Sequence, residues 1–161
     1  MRETAVIDSS AVIVLGKCDM LWLLDFAAAE RVITPAVAAE VLAGTGEDAA
    51  IRLVRGGTLR QTSPVTTHPA VAAHEVDAGE AEVISYTLEQ VQSRIAIVDD
   101  LPARKCAAAV GAPHVGCVGL AVEAARQRRL DDLTSTLLHF RQAGLYISQR
   151  LMDHAIRLGN G

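Results

Sequence analysis

Aromatic residues are nearly missing from this sequence: one Trp, two Tyr and two Phe make up 3% of 161 residues. A core without rings must rest on Ala, Val, Leu and Ile, within a chain that is 50% hydrophobic. Small aliphatic side chains suit helices laid closely on a parallel sheet. Cysteine is scarce too. Cys18, Cys106 and Cys117 stand far apart with no C-x-x-C pair, which excludes a disulfide framework and the usual zinc spacings and leaves reduced, buried thiols. Basic charge is in deficit, with 15 Lys and Arg against 19 Asp and Glu and a net charge of −4. That excludes a broad basic surface for nucleic acid and leaves room only for a local patch. No apolar run is long enough to span a bilayer, and Arg2 and Glu3 open no signal-peptide pattern. The expectation is a cytoplasmic protein with no membrane partner, forming one domain over residues 1–161 without linkers or repeats.

What is present is an alternation of strands and helices. "TAVIDSS" is a β-rich run ending in Asp8, with Ser9 and Ser10 as helix starters. "AVIVLGKC" and "MLWLLDFAAAE" read as two helical segments, the second capped by Asp19. "RVIT" is a second strand, and Pro35 opens the helix "PAVAAEVLAG", closed by Gly44. "TGEDAAIRLVRGG" reads as a short helix and "TLRQTSPV" as an extended or irregular link. The helix "DAGEAEVISYTLEQVQS" precedes the strand "RIAIV", the helix "LPARKCAAAVG" and a last short strand in "PHVGCV". From about residue 120 to 161 the chain reads as wholly helical. This order predicts an α/β fold of three α/β/α layers around a parallel sheet, with a helical C-terminal extension.

In such sheets ligands bind beyond the carboxyl ends of the strands. Asp8 ends the first strand, and Asp99 with Asp100 ends a later one. Glu40, the only charge inside "PAVAAEVLAG", lies at the margin of that helix's apolar face. Glu80 and Glu82 belong to the first turns of another helix, where Asp77-Ala-Gly-Glu80 also fits a capping box; Glu82 is expected to face solvent. Carboxylates gathered at one point repel, and oxygen-rich, nitrogen-free sets suit Mg²⁺ or Mn²⁺. Such ions orient and activate water and neutralise charge on a phosphodiester.

The succession "VIDSSAVIVLGK", "ITPAVAAEVLAG", "DAGEAEVISYTLE", "IAIVDDLPARKCAAAVG" and "HVGCVGLAVEAARQRRL" closely resembles PIN-domain proteins, in particular a PIN-like branch related to VapC toxins. The resemblance implies an α/β/α fold and Mg²⁺- or Mn²⁺-dependent cleavage of RNA, in the manner of a toxin held by an antitoxin. It implies that Asp8 is the first acid and Ser10 its small polar support, with Glu40 the acid of the second helix. Asp99 or Asp100 would be the last acid. The third is Glu80 or Glu82 where toxin-type members have Asp, with Glu80 favoured beside Gly79. Arg104, one turn after Asp100, could pair with it or reach a substrate phosphate. PIN proteins commonly form homodimers, and the apolar stretch Leu21 to Phe26 is a possible interface.

Two other readings remain. A catalytically weak PIN-like domain would act mainly by protein contacts. A phospho-receiver or aspartyl phosphatase is disfavoured, because no Lys follows "HVGCVG" and Ser10 stands where a D-x-D motif needs its second Asp. Arg126, Arg128 and Arg129 read as a solvated helix face that could instead, with Arg104 and Lys105, hold phosphates. The five His share no metal-ligand spacing.

Overall fold

The run that ends in Asp8 becomes the middle of a five-stranded sheet in the computed structural model, which describes residues 1–44 and 48–161. Strands β1 (Arg2–Ile7), β2 (Ala28–Ile33), β3 (Arg60–Gln61), β4 (Arg94–Ile97) and β5 (His114–Val115) lie in the order β3-β2-β1-β4-β5. Every pairing is parallel. Ala5, Val6, Ile7, Ala96, Ile97, Val32 and Ile33 are fully buried, as a sheet covered on both faces requires. The fold is the expected three-layer α/β/α arrangement.

The helices are α1 (Ser9–Lys17), α2 (Pro35–Leu42), α3 (Ala49–Arg55), α4 (Pro69–Ala72), α5 (Ala78–Leu88), α6 (Leu101–Val110), α7 (Cys117–Arg126), α8 (Leu133–Gln142) and α9 (Gln149–Asn160). The helices from α7 on form the C-terminal part, where α9 packs on α7 and α8. α6 stops at Gly111, whose φ of +80° is the left-handed conformation that glycine adopts without strain.

Several local expectations give way to tertiary structure. "MLWLLDFAAAE" is not one helix. Leu21–Phe26 is a 3₁₀ segment, Asp19 sits at φ +53° rather than capping it, and β2 already begins at Ala28. Pairing of Ala28 with Arg2 of β1 outweighs the helical preference of alanine here. Trp22 is half-buried and meets Phe26 edge-on. The link "TLRQTSPV" contributes the two-residue edge strand β3, and "PHVGCV" splits so that Cys117 opens α7. The expected start of the third helix, Thr45 to Glu47, lies outside the described residues. Cys18 is half-buried, whereas Cys106 and Cys117 are buried, all as free thiols. Among the described residues no helix is long and apolar enough to cross a membrane.

Strand order decides where a site can form. From β1 the chain moves to β2 and β3 on one side, then returns to β4 and β5 on the other. The C-terminal ends of β1 and β4 therefore flank the point where the direction of winding reverses, and a crevice opens there.

Candidate metal centre

Asp8 follows Ile7 directly, and its backbone N–H donates to the Ile97 carbonyl at 3.1 Å. The ends of β1 and β4 are thus tied together beneath the acids. Asp8 occupies the N-cap position of α1, yet its side chain makes no capping bond. One oxygen, Oδ2, accepts from the Ser10 hydroxyl at 3.2 Å; the other, Oδ1, is buried without a partner. An orphaned carboxylate oxygen in the interior is costly unless something outside the protein satisfies it. Burial lifts the Asp8 pKa to about 7, helped by the charges of Asp77 and Glu40 and opposed by the Ser9 N–H and the Ser10 hydroxyl.

Glu40 comes to the same place from α2. Its Oε2 accepts from the Ser9 hydroxyl at 2.7 Å. Its carboxylate lies against Gly79 of α5, where a Cβ would come within 2.9 Å of Glu40 Cδ and 3.0 Å of Oε2. Glycine at position 79 is what lets α2 and α5 bring their acids together.

Glu80 is buried on α5 and takes part in the capping box the sequence suggests. Its N–H donates to Asp77 Oδ1 at 2.8 Å, and Asp77 N–H donates to Glu80 Oε2 at 3.2 Å. Burial raises the Glu80 pKa to about 7, reinforced by the charges of Asp77, Asp8 and Asp100 and opposed by the Asp77 N–H. The cap and the acid cluster share the same residue. Glu82 departs from expectation: it is half-buried, and its Oε2 accepts from the Ala36 N–H at 2.8 Å. It thereby satisfies a free N–H in the first turn of α2, where the buried Thr34 hydroxyl makes no capping bond.

The adjacent acids after β4 separate. Asp99 turns toward α7, its Oδ1 accepting from the Cys117 N–H at 2.7 Å in a niche kept open by Gly116. Its pKa is raised by burial, against the Cys117 thiol and N–H and the charge of Arg104. Asp100 is exposed and stands near enough to Glu80 to raise its pKa. Arg104 forms no ion pair with Asp100 among the described residues; its charge acts on Asp99 instead.

Acids from four elements are thus near enough to act on one another's charge around the ends of β1 and β4. The family model described as PIN domain matches residues 4–160. The chain belongs to the PIN-domain family. PIN domains are commonly nucleases and generally use divalent metal ions. No curated protein gives a significant match to the sequence.

The donors in this PIN domain fit a hard cation in kind: all are oxygens, one buried oxygen each of Asp8 and Asp99 is unsatisfied, and Asp8, Glu80 and Asp99 are all held at raised pKa. As they stand, no three acids among the described residues form a finished cage. Glu40, Glu80 and Asp99 each have an oxygen engaged by a protein donor.

Sequence reasoning passed over two residues. Asp77 acts on both Asp8 and Glu80, but its capping role already accounted for it. Ser9 holds Glu40, and its only sequence signal was its place in "DSS" beside Ser10. Of the arginines read as possible phosphate contacts, Arg129 lies away from the acids. Gln127 and Arg129 share a surface depression with Met1, at the start of β1, about 20 Å from Asp8 at the usual rise of a six-residue strand. His68 and His114 are accounted for locally: His68 Nδ1 caps α4 and His114 Nδ1 pairs with the Ala112 carbonyl.

Gly79→Ala is expected to leave thermal stability within about 1 kcal/mol, because the atoms it meets end a flexible, exposed side chain. It is expected to lower any activity of the acid cluster at least tenfold by pushing Glu40 aside. Unchanged activity of the folded variant would remove Glu40 from the site.

Proposed function

We propose that this PIN domain is a metal-dependent endoribonuclease that hydrolyses RNA phosphodiesters, with Mg²⁺ or Mn²⁺ held by Asp8, Glu40, Glu80 and Asp100. The observation that carries the reading is the buried, partnerless Asp8 Oδ1 at the switch between β1 and β4, surrounded by acids from α2, α5 and the end of β4. When bound, the ion supplies activation of a water and neutralisation of charge on the phosphodiester. The chain's own residues do the rest. Ser10 orients Asp8, Ser9 orients Glu40, and Asp77 fixes Glu80 at the start of α5. Asp99 pins the start of α7 to the end of β4 and so positions Asp100. Arg104, on the next turn of α6, is the cation available to a substrate phosphate. The resemblance to VapC toxins supports the accompanying proposal of a cytoplasmic toxin, homodimeric and held by an antitoxin.

A second reading, a weakly active or inactive PIN domain working through protein contacts, is favoured by one observation: the acids are bonded to protein donors rather than arranged as a cage. Incubation of unstructured RNA with Mn²⁺ separates the two. The nuclease reading expects cleavage by the wild type, reduced at least a hundredfold in Glu80→Gln. No cleavage by either protein would leave the binding reading.

A further inference from the structure

One of the few aromatic side chains in this protein is fully offered to solvent. Tyr146 is 88% exposed in the connection between α8 and α9. This exposure is built rather than incidental. The neighbouring Ile147 is buried, its carbonyl accepts from Arg141 Nη2 at 2.8 Å, and Leu145 N–H donates to the Phe140 carbonyl at 3.0 Å. Gly144 turns the chain at φ +110°, and Ser148 immediately caps α9. A short connection anchored on both sides of Tyr146 fixes the backbone that carries the exposed ring.

That place adjoins the acids. Tyr146 lines a cavity of about 470 Å³ together with Ser10, Asp99, Asp100, Leu101 and Arg104. Leu101 is 61% exposed beside it. The cavity therefore joins an apolar platform, a guanidinium and the rim of the acid cluster, within the size range of pockets that take a small organic ligand. Stacking on an exposed ring is how proteins hold unpaired bases whatever their sequence, while a nearby cation holds the backbone.

Resting on the nuclease reading above, we propose that this cavity is a subsite for one unpaired nucleotide flanking the cleaved phosphodiester. Tyr146 stacks on the base, Leu101 supports its edge, and Arg104 contacts the adjoining phosphate. Tyr146 is a substrate-binding residue with no part in the chemical step. The subsite favours unpaired over paired RNA, because a paired base must first be drawn out of its stack to reach the ring.

The test measures Mn²⁺-dependent cleavage, and anisotropy of a fluorescein-labelled single-stranded RNA of mixed sequence bound to the Asp8→Asn protein. Tyr146→Ala is expected to raise KM and the RNA Kd by roughly 5- to 100-fold, the usual effect of losing one stacked base. The expected kcat stays within about twofold, Tyr146→Phe restores binding, and duplex RNA is bound no better by wild type than by Tyr146→Ala. Because the side chain is exposed, neither variant disturbs folding. Wild-type cleavage with unchanged KM in Tyr146→Ala would overturn the subsite and leave the nuclease reading standing. Tyr146-dependent RNA binding without cleavage would support the subsite and overturn the nuclease reading.

Discussion

Asp8→Asn is expected to make the metal-free protein more stable at pH 8, by about 3 kcal/mol. The folded protein holds the Asp8 pKa at about 7 against an ordinary value of 3.8. Below pH 4 the carboxyl is protonated in folded and unfolded chains alike and contributes no difference. As pH rises from about 4 to 7 the unfolded chain ionises first, so stability is lost through this window. Above pH 7 the full penalty is present, about 1.4 kcal/mol for each unit of displacement, so about 4 kcal/mol at most. An amide in the same position carries no charge and avoids it. For a chain of this size the expected gain in Tm is roughly 6–12 °C at pH 8, shrinking toward zero near pH 4. Denaturant or thermal unfolding at both pH values measures it. Unchanged or lower stability of Asp8→Asn at pH 8 would show that the buried charge of Asp8 costs the fold nothing. A gain shows a residue kept charged at the expense of the fold, the usual mark of a functional position.

Mn²⁺ is expected to offset much of the pH dependence of the wild type. Asp8 and Glu80 both sit at about 7 because burial and their acidic neighbours disfavour the charged forms. They act on each other, so their protons leave as a coupled pair. Without metal these two acids are expected to make the protein more stable at pH 5.5 than at pH 8, because each folded-state pKa is raised and the cost appears as pH climbs toward it. A divalent cation stabilises the ionised forms and competes with protons for the same oxygens. At a concentration about a hundred times its Kd it adds about 2.7 kcal/mol. Mn²⁺ should therefore raise Tm by roughly 5–10 °C at pH 8 and hardly at all at pH 5.5, with Ca²⁺-free thermal scans as the readout. An equal effect at both pH values would place the ion elsewhere on the surface.

The sequence made the sheet legible where hydrophobic runs met turn chemistry. "AVID" and "IAIVDD" had no other good reading, and both became central strands ending at the acids. Glu40 stood out because a single charge interrupted an apolar helix, and Gly79 because glycine beside a buried acid implies close approach. Tertiary contacts decided what remained. Glu82 is polar at a position that looked solvated, yet the N-terminus of α2 reaches it across forty-six residues of chain. Asp99 and Asp100 are adjacent and alike in sequence; only the approach of α7 to the end of β4 turns one away and leaves the other near Glu80. Ala28 and Ala29 carry helical preference and no signal for the strand they enter, which exists because β1 offers partners. The placement of Arg129 at the far end of the sheet follows from the length of α7, not from any local pattern.

Calorimetric titration of Mn²⁺ into the metal-free wild type at pH 8, beside Asp8→Asn, tests most directly whether these acids form a cation site. Saturable binding with release of protons in the wild type, weakened at least tenfold in the folded Asp8→Asn variant, is the predicted result. Absence of binding in the wild type, or equal binding in both proteins, would contradict it.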